Sequence, residues 1–299
     1  MMRRRSFITL LGGAACAWPL AARAQQGERV RRIGVFMSLA ADDKQGQARL
    51  AAFLQGLQEL GWTDGRNVRI DIRWGTGDAG RNRRHAAELV ELAPDVILAS
   101  GGSIVGPLLQ ATSTVPVVFT QTPDPVGAGF VESLARPGGN ATGFSIFDYS
   151  LGGKWLELLK EIAPSVTRAA VIRDPATPQG IGQFSAIQSL APSLSLEVTP
   201  LNARDAGDIE RAIAAVDRNP NSGLIVTGSN LALIHRELIV TLAARYKLPA
   251  VYPLGFFAVA GGLISYGPDG IEPHRRAAGI LRARSRLIFR CRRRPSSSS

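Results

Sequence analysis

Asp95 to Thr120 reads DVILASGGSIVGPLLQATSTVPVVFT. Val96-Ile97-Leu98-Ala99 is an unbroken apolar run of strand length, and Ser100-Gly101-Gly102-Ser103 turns the chain towards a helix near Val105 to Ala111. Val115 to Phe119 is a second apolar run. Strands without polar alternation are covered on both faces. Two of them joined by a helix imply parallel pairing through a crossover.

The same alternation extends in both directions. On the N-terminal side, Arg32 to Met37 is a strand candidate and Gln47 to Leu60 a helix with Leu50, Phe53, Leu54, Leu57 and Leu60 on one stripe. Gly61 stops that helix. Val68 to Trp74 alternates apolar and polar residues as an edge strand does, and Arg81 to Leu92 is helical. On the C-terminal side, helices are expected at Gly153 to Ile162, Gln183 to Leu190, Asp208 to Val216 and Leu231 to Tyr246. Strands are expected at Ala169 to Ile172, Leu196 to Leu201, Gly223 to Thr227, Pro249 to Tyr252 and Gly262 to Tyr266. The two runs meet near Gly138-Gly139-Asn140. The predicted class is α/β, with two doubly wound parallel-sheet lobes joined by a hinge. The N-terminal lobe spans 29–145 and the C-terminal lobe 146–264, with 265–278 crossing back towards the first. Open parallel sheets bind ligands beyond the carboxyl ends of their strands, so the cleft between the lobes is the expected site.

Charge and cysteine bound the function. The 299 residues carry a formal +11, but Arg3, Arg4, Arg5 and Arg23 and nine arginines from Arg275 onward account for thirteen of the 35 basic residues. The body is left with 22 basic residues against 24 acids, which excludes a basic nucleic-acid-binding globule. Cys16 and Cys291 both lie in the ends, so the body has no disulfide framework and no cysteine zinc site. His85, His235 and His274 show no metal-ligand spacing. Neither a metal nor another cofactor is expected.

Residues 1–24 read as a twin-arginine-type signal peptide. Arg4-Arg5-Ser6-Phe7-Ile8 follows its pattern, and Ala22-Arg23-Ala24 offers a cleavage site near Ala24. A periplasmic protein follows, with lipid attachment at Cys16 as the alternative, although Gly13 stands where a Leu is usual. From Gly279 the sequence becomes an Arg/Ser-rich tail without a helix or strand period.

The strand ends hold the candidate ligand contacts. Ser100-Gly101-Gly102-Ser103 opens a helix, where free N–H groups and hydroxyls suit an anion; a plain serine cap after a glycine turn is the other reading. Thr120 to Gly127 follows the fourth strand, and Asp124 before Pro125 either caps a helix or pairs with a substrate ammonium. Arg173-Asp174-Pro175, Thr227-Gly228-Ser229-Asn230 and Tyr252 hold corresponding places in the second half. Gly75 to Gly80 matches G-x-G-x-x-G, but it follows the second strand and lacks a downstream acid for a ribose, so a flexible turn is the expected role. His85 and His235 have no nucleophile partner at a strand end, so no catalytic group emerges.

Pro116-Val117-Val118-Phe119, Asp124-Pro125-Val126-Gly127-Ala128-Gly129 and Leu134-Ala135-Arg136-Pro137-Gly138-Gly139-Asn140-Ala141-Thr142-Gly143 resemble the ABC transporter substrate-binding family that includes tryptophan-binding lipoproteins. Gly61 to Val68 and Ile264 to Asp269 fit as well, so the resemblance covers roughly 29–278. It implies a type I periplasmic-binding-protein fold that closes on a small, amino-acid-like solute and serves a cognate ABC permease, without catalysis and without nucleic acid. It implies a carboxylate-like end at Gly101, Gly102 and Ser103, polar groups near Asp124 and Asn230, and further contacts from Ser38, Asp174 and Tyr252. Thr120 is a candidate from its place at the strand end. A monomer is expected. Family members continue past Gly279 with a helix and further packing residues, so a C-terminal segment truncated or replaced is expected. A nucleotide-dependent enzyme using Gly75 to Gly80 and a ligand-sensing regulator lobe are the alternative functions.

Overall fold

The computed structural model describes residues 30–75, 77–216 and 220–291, with the backbone alone for 282–291. The leader and the last eight residues lie outside it. In the first lobe, β1 (Arg31–Met37), β2 (Val68–Trp74), β3 (Val96–Ser100), β4 (Val117–Thr122) and β5 (Ala141–Ser145) form one sheet in the order β2-β1-β3-β4-β5. Helices α1 (Lys44–Glu59), α2 (Ala79–Glu91) and α3 (Gly102–Ala111) cover it. In the second lobe, β6 (Arg168–Arg173), β7 (Glu197–Asn202), β8 (Ser222–Val226), β9 (Ala250–Tyr252) and β10 (Ile264–Ser265) repeat the same winding as β10-β9-β8-β6-β7. Its helices are α4 (Leu151–Ile162), α5 (Pro178–Leu190), α6 (Ala206–Val216), α7 (Asn230–Ile234), α8 (Arg236–Arg245) and α9 (Gly255–Val259). Every ladder between these strands is parallel.

Each sheet is packed on both faces, which explains its unbroken apolar strands. Ile33, Val35, Val96 and Leu98 meet Phe53 and Leu57 of α1 on one face, while Phe36, Ile97 and Ala99 meet Leu89 and Ile104 on the other. Trp155 of α4 is fully buried under the second sheet, and its indole N–H donates to Tyr266 O at 2.8 Å. The chain crosses between lobes after Ser145 and again after Ser265. It returns as α10 (Glu272–Cys291), which lays Ala277, Ala278 and Leu281 into the first lobe's core. Gly56 of α1 permits that approach, since a methyl there would come within 2.5 Å of Arg275 O.

Three details depart from the sequence expectation. The backbone of α10 runs unbroken past Gly279 to Cys291, through the start of the Arg-rich stretch, with Ala277, Ala278 and Leu281 on either side of Gly279 packed into the first lobe's core. The strand β5 was hidden by its glycine and threonine content and closes the first sheet as an edge. The expected helix over Leu231 to Tyr246 is split at His235. There the Arg236 guanidinium donates to Leu233 O at 2.9 Å, taking a carbonyl that a continuous helix would pair with the N–H four residues on. Among the described residues no helix is long and apolar enough to cross a membrane.

Candidate functional site

The winding of each sheet reverses between β1 and β3 and between β6 and β8, which opens a crevice at those strand ends. The two crevices face each other and enclose a cleft with about 510 Å³ of empty space, part of it open to solvent. Ser38 enters from the end of β1, Gly101, Gly102 and Ser103 from β3 and α3, and Gln121 and Pro123 from β4. The second lobe contributes Thr177 and Gln179 around the start of α5, and Gly228, Ser229 and Asn230 between β8 and α7. Ile146, Phe147, Leu233 and Leu254 supply the apolar wall.

Local hydrogen bonds fix these groups. Thr177 caps α5 by accepting Gly180 N–H at 3.2 Å, which sets the first turn carrying Gln179. Replacing Thr177 with Ala should lower stability by about 1 kcal/mol, the usual value of such a cap, as measured by urea unfolding. Buried Gln183 holds Gly228 by accepting its N–H at 2.8 Å. Gly228 has no room for a side chain, because a methyl there would stand 2.5 Å from the Phe147 ring.

The lobes touch across the cleft. Asn230 donates from Nδ2 to Ser38 O at 3.1 Å, and the Arg236 guanidinium meets the Asp43 carboxylate at 2.7 Å. Asp43 also caps α1, accepting Gln45 and Gly46 N–H at 2.8 and 2.9 Å. Burial pushes the Asp43 carboxyl up, but the Gly46 N–H and Arg236 outweigh it and hold it below its ordinary value.

Several buried polar atoms in this cleft have no hydrogen-bond partner among the described residues: Ser38 Oγ, Ser103 Oγ, Gln179 Nε2, Asn230 Oδ1 and all three guanidinium nitrogens of Arg49. Arg49 projects from α1, is 1% exposed, and burial pushes its pKa down to about 10 against the pull of Asp43 and with the push of Arg236. Buried polar groups are nearly always paired, so unpaired ones gathered in one cavity mark a place for a ligand or water.

Of the residues singled out from sequence, Ser38, Gly101, Gly102, Ser103 and Asn230 meet in this cleft. Thr120, Asp124, Asp174 and Tyr252 do not line it. Thr120 is fully buried with its hydroxyl on His274 Nε2 at 2.9 Å. Asp124 caps a loop turn rather than a helix, accepting Gly127 N–H at 2.8 Å, because the chain after it folds as successive turns. Asp174 accepts Ala176 N–H at 2.9 Å, and burial raises its pKa. Tyr252 stacks on Phe257 with ring centres 5.2 Å apart, and burial pushes its phenol up to about 12. In the glycine-rich segment, Gly77 lies in a turn and Asp78 caps α2; neither lines the cleft.

Arg49, Phe147, Thr177 and Gln179 lie outside the segments that the sequence singles out, and Gln121 lies inside one of them without being a named candidate. For Arg49 a signal existed. It lies three residues after Gly46 and four before Phe53, so a charged residue sits on the helix face that is otherwise apolar.

The chain is similar to several known proteins in sequence and in fold. A tyrosine-binding protein of Clostridioides difficile (strain R20291) is 27% identical over 217 residues, 73% of this chain and 62% of the relative. The chain thus spans less than two thirds of that relative's length. A conserved domain protein from Vibrio cholerae has a TM-score of 0.79 at 24% identity, covering 85% of this chain and 84% of that one. An ABC domain from Streptococcus pneumonia in complex with L-Trp has a TM-score of 0.76 at 20% identity, covering 85% of each chain. Both structures have the same fold. The model of the family described as ABC transporter substrate binding protein matches residues 33–282, and the chain belongs to that family.

Proposed function

We propose that this protein is the extracytoplasmic solute-binding component of an ABC transporter. It closes its lobes on a small molecule of amino-acid-like skeleton and delivers it unchanged to a membrane permease. The observation that carries this reading is the set of unpaired buried polar atoms from both lobes around one apolar-walled cleft. Family membership supports it, as do the tyrosine and tryptophan named for two of the similar proteins. Export to the periplasm through the 1–24 leader, with cleavage near Ala24, belongs to the same reading. So does action as a monomer without catalysis.

Lobe closure binds tightly when the closed state gains contacts that the open state lacks. A ligand here would satisfy Ser38, Ser103, Gln179 and Asn230 together while Arg236 and Asp43 hold the lobes shut. A thermal-shift screen of the purified protein against amino acids, their deaminated acids and nucleotides tests the reading. Stabilisation by compounds of amino-acid skeleton is expected, and stabilisation by nucleotides alone, or turnover of any compound, would refute it. Arg236→Met removes the interlobe ion pair at a residue that does not itself line the cleft. It should weaken binding of such a compound about tenfold by titration calorimetry, through loss of the closed state.

A further inference from the structure

We propose that Arg49 is the counter-ion of the ligand, and that the cleft prefers an apolar carboxylate without an ammonium over the zwitterionic amino acid of the same skeleton. This deepens the receptor reading and rests on it. Among the described residues lining the cleft, Arg49 is the only charged one; Asp43 acts on it electrostatically from outside the lining, and Asp43 is shared with Arg236. The nearby charges are already used. Asp43 is paired with Arg236 at 2.7 Å and with two N–H groups of α1. Asp269 borders a neighbouring groove that Arg49 also touches, but it is exposed and accepts Ile271 N–H at 2.8 Å. His274 is buried and neutral at pH 7, with its pKa at about 3. Asp124 and Asp174, the carboxylates placed to meet an ammonium by sequence, lie outside the lining.

The cleft therefore holds one uncompensated positive charge in a desolvated wall. A zwitterion adds no net charge and leaves that charge unbalanced, whereas a monoanion neutralises it; in a low-dielectric site this difference is large. The hydrogen-bond inventory points the same way. The unpaired atoms include the guanidinium donors and Gln179 Nε2, two hydroxyls that can donate, and a single obligate acceptor, Asn230 Oδ1. An ammonium brings three donors and needs three acceptors, while a carboxylate needs donors alone. Gly101 begins α3 without a side-chain cap, so the first N–H groups of that helix add to the donor excess. Ile146, Phe147, Leu233 and Leu254 suit an alkyl or aryl body.

Titration calorimetry on the purified protein tests this with pairs matched in skeleton. The pairs are L-tyrosine with 3-(4-hydroxyphenyl)propionate, L-tryptophan with indole-3-propionate, and L-leucine with 4-methylpentanoate. In whichever pair binds, the deaminated acid is expected to bind at least about tenfold tighter, and Arg49→Met to weaken it about 30-fold, as loss of a charged hydrogen-bonded partner does. Arg49→Lys keeps the charge and should stay within about tenfold of the parent. The unliganded Arg49→Met protein should melt at a higher temperature than the parent, because an unpaired buried charge has been removed. Tighter binding of the amino acid, or an Arg49→Met protein that binds the acid unchanged, overturns the Arg49 assignment and leaves the receptor reading standing. Silence of every compound, amino acids included, sinks both.

Discussion

At pH 5 the protein is expected to have lost about 2 kcal/mol of the folding stability it has at pH 7, through His274 alone, and about 4 kcal/mol by pH 3. His274 projects from α10 into the first lobe and is fully buried. Its Nδ1–H donates to Gly270 O at 2.9 Å, and its Nε2 lone pair faces the hydroxyls of Ser100 and Thr120 at 2.8 and 2.9 Å. A proton on Nε2 would break that arrangement and add a second positive charge near Arg49. Burial first, and then Arg49, hold the ring's pKa at about 3. An unfolded histidine titrates near 6.5. Above that value both states are neutral and the stability is complete. As the pH falls, the unfolded chain takes up a proton that the native chain refuses, so stability drains away until the native ring titrates. Urea unfolding at pH 7, 6 and 5 measures this loss, and His274→Gln should remove about 2 kcal/mol of the difference between pH 7 and pH 5. An unchanged pH slope in that variant would assign the acid sensitivity to other groups.

Gly101→Ala is expected to destabilise the fold by about 3 kcal/mol and to abolish ligand-dependent stabilisation. Gly101 adopts φ 122°, ψ 141°, a conformation that residues with a side chain rarely adopt. A methyl there would overlap Ser38 Oγ, and Gly101 N–H must still reach Thr120 O at 2.9 Å. Backbone strain and steric overlap therefore act together at the point where β1 and β3 diverge. The double variant Gly101→Ala/Ser38→Gly relieves the overlap but not the backbone conformation, so it should recover only part of the loss. Parental stability in the single variant would show that the loop relaxes freely.

The fold was largely legible because its signals are local. The alternation of Val96-Ile97-Leu98-Ala99 and its counterparts with amphipathic helices requires parallel sheets covered on both faces, whatever the rest of the chain does. Two features of the fold carry no such local signal. The strand β5 is interrupted by glycine, and the break at His235 depends on one guanidinium reaching a carbonyl.

The site was legible in part, since the winding rule points to strand ends without saying which side chains turn into the cleft. Ser38, Gly101, Gly102, Ser103 and Asn230 gather there, while Thr120, at an equivalent strand end, is claimed by His274 from 154 residues away. Sequence by itself determined the two parallel-sheet lobes and the crevice between them, because hydrophobic periodicity within one element decides which face is buried. Only the tertiary structure decided that Arg49 lies buried without a partner and that Asp124 and Asp174 stand aside. Pairing and desolvation of a charge depend on groups brought together from distant parts of the chain, and no local spacing encodes them.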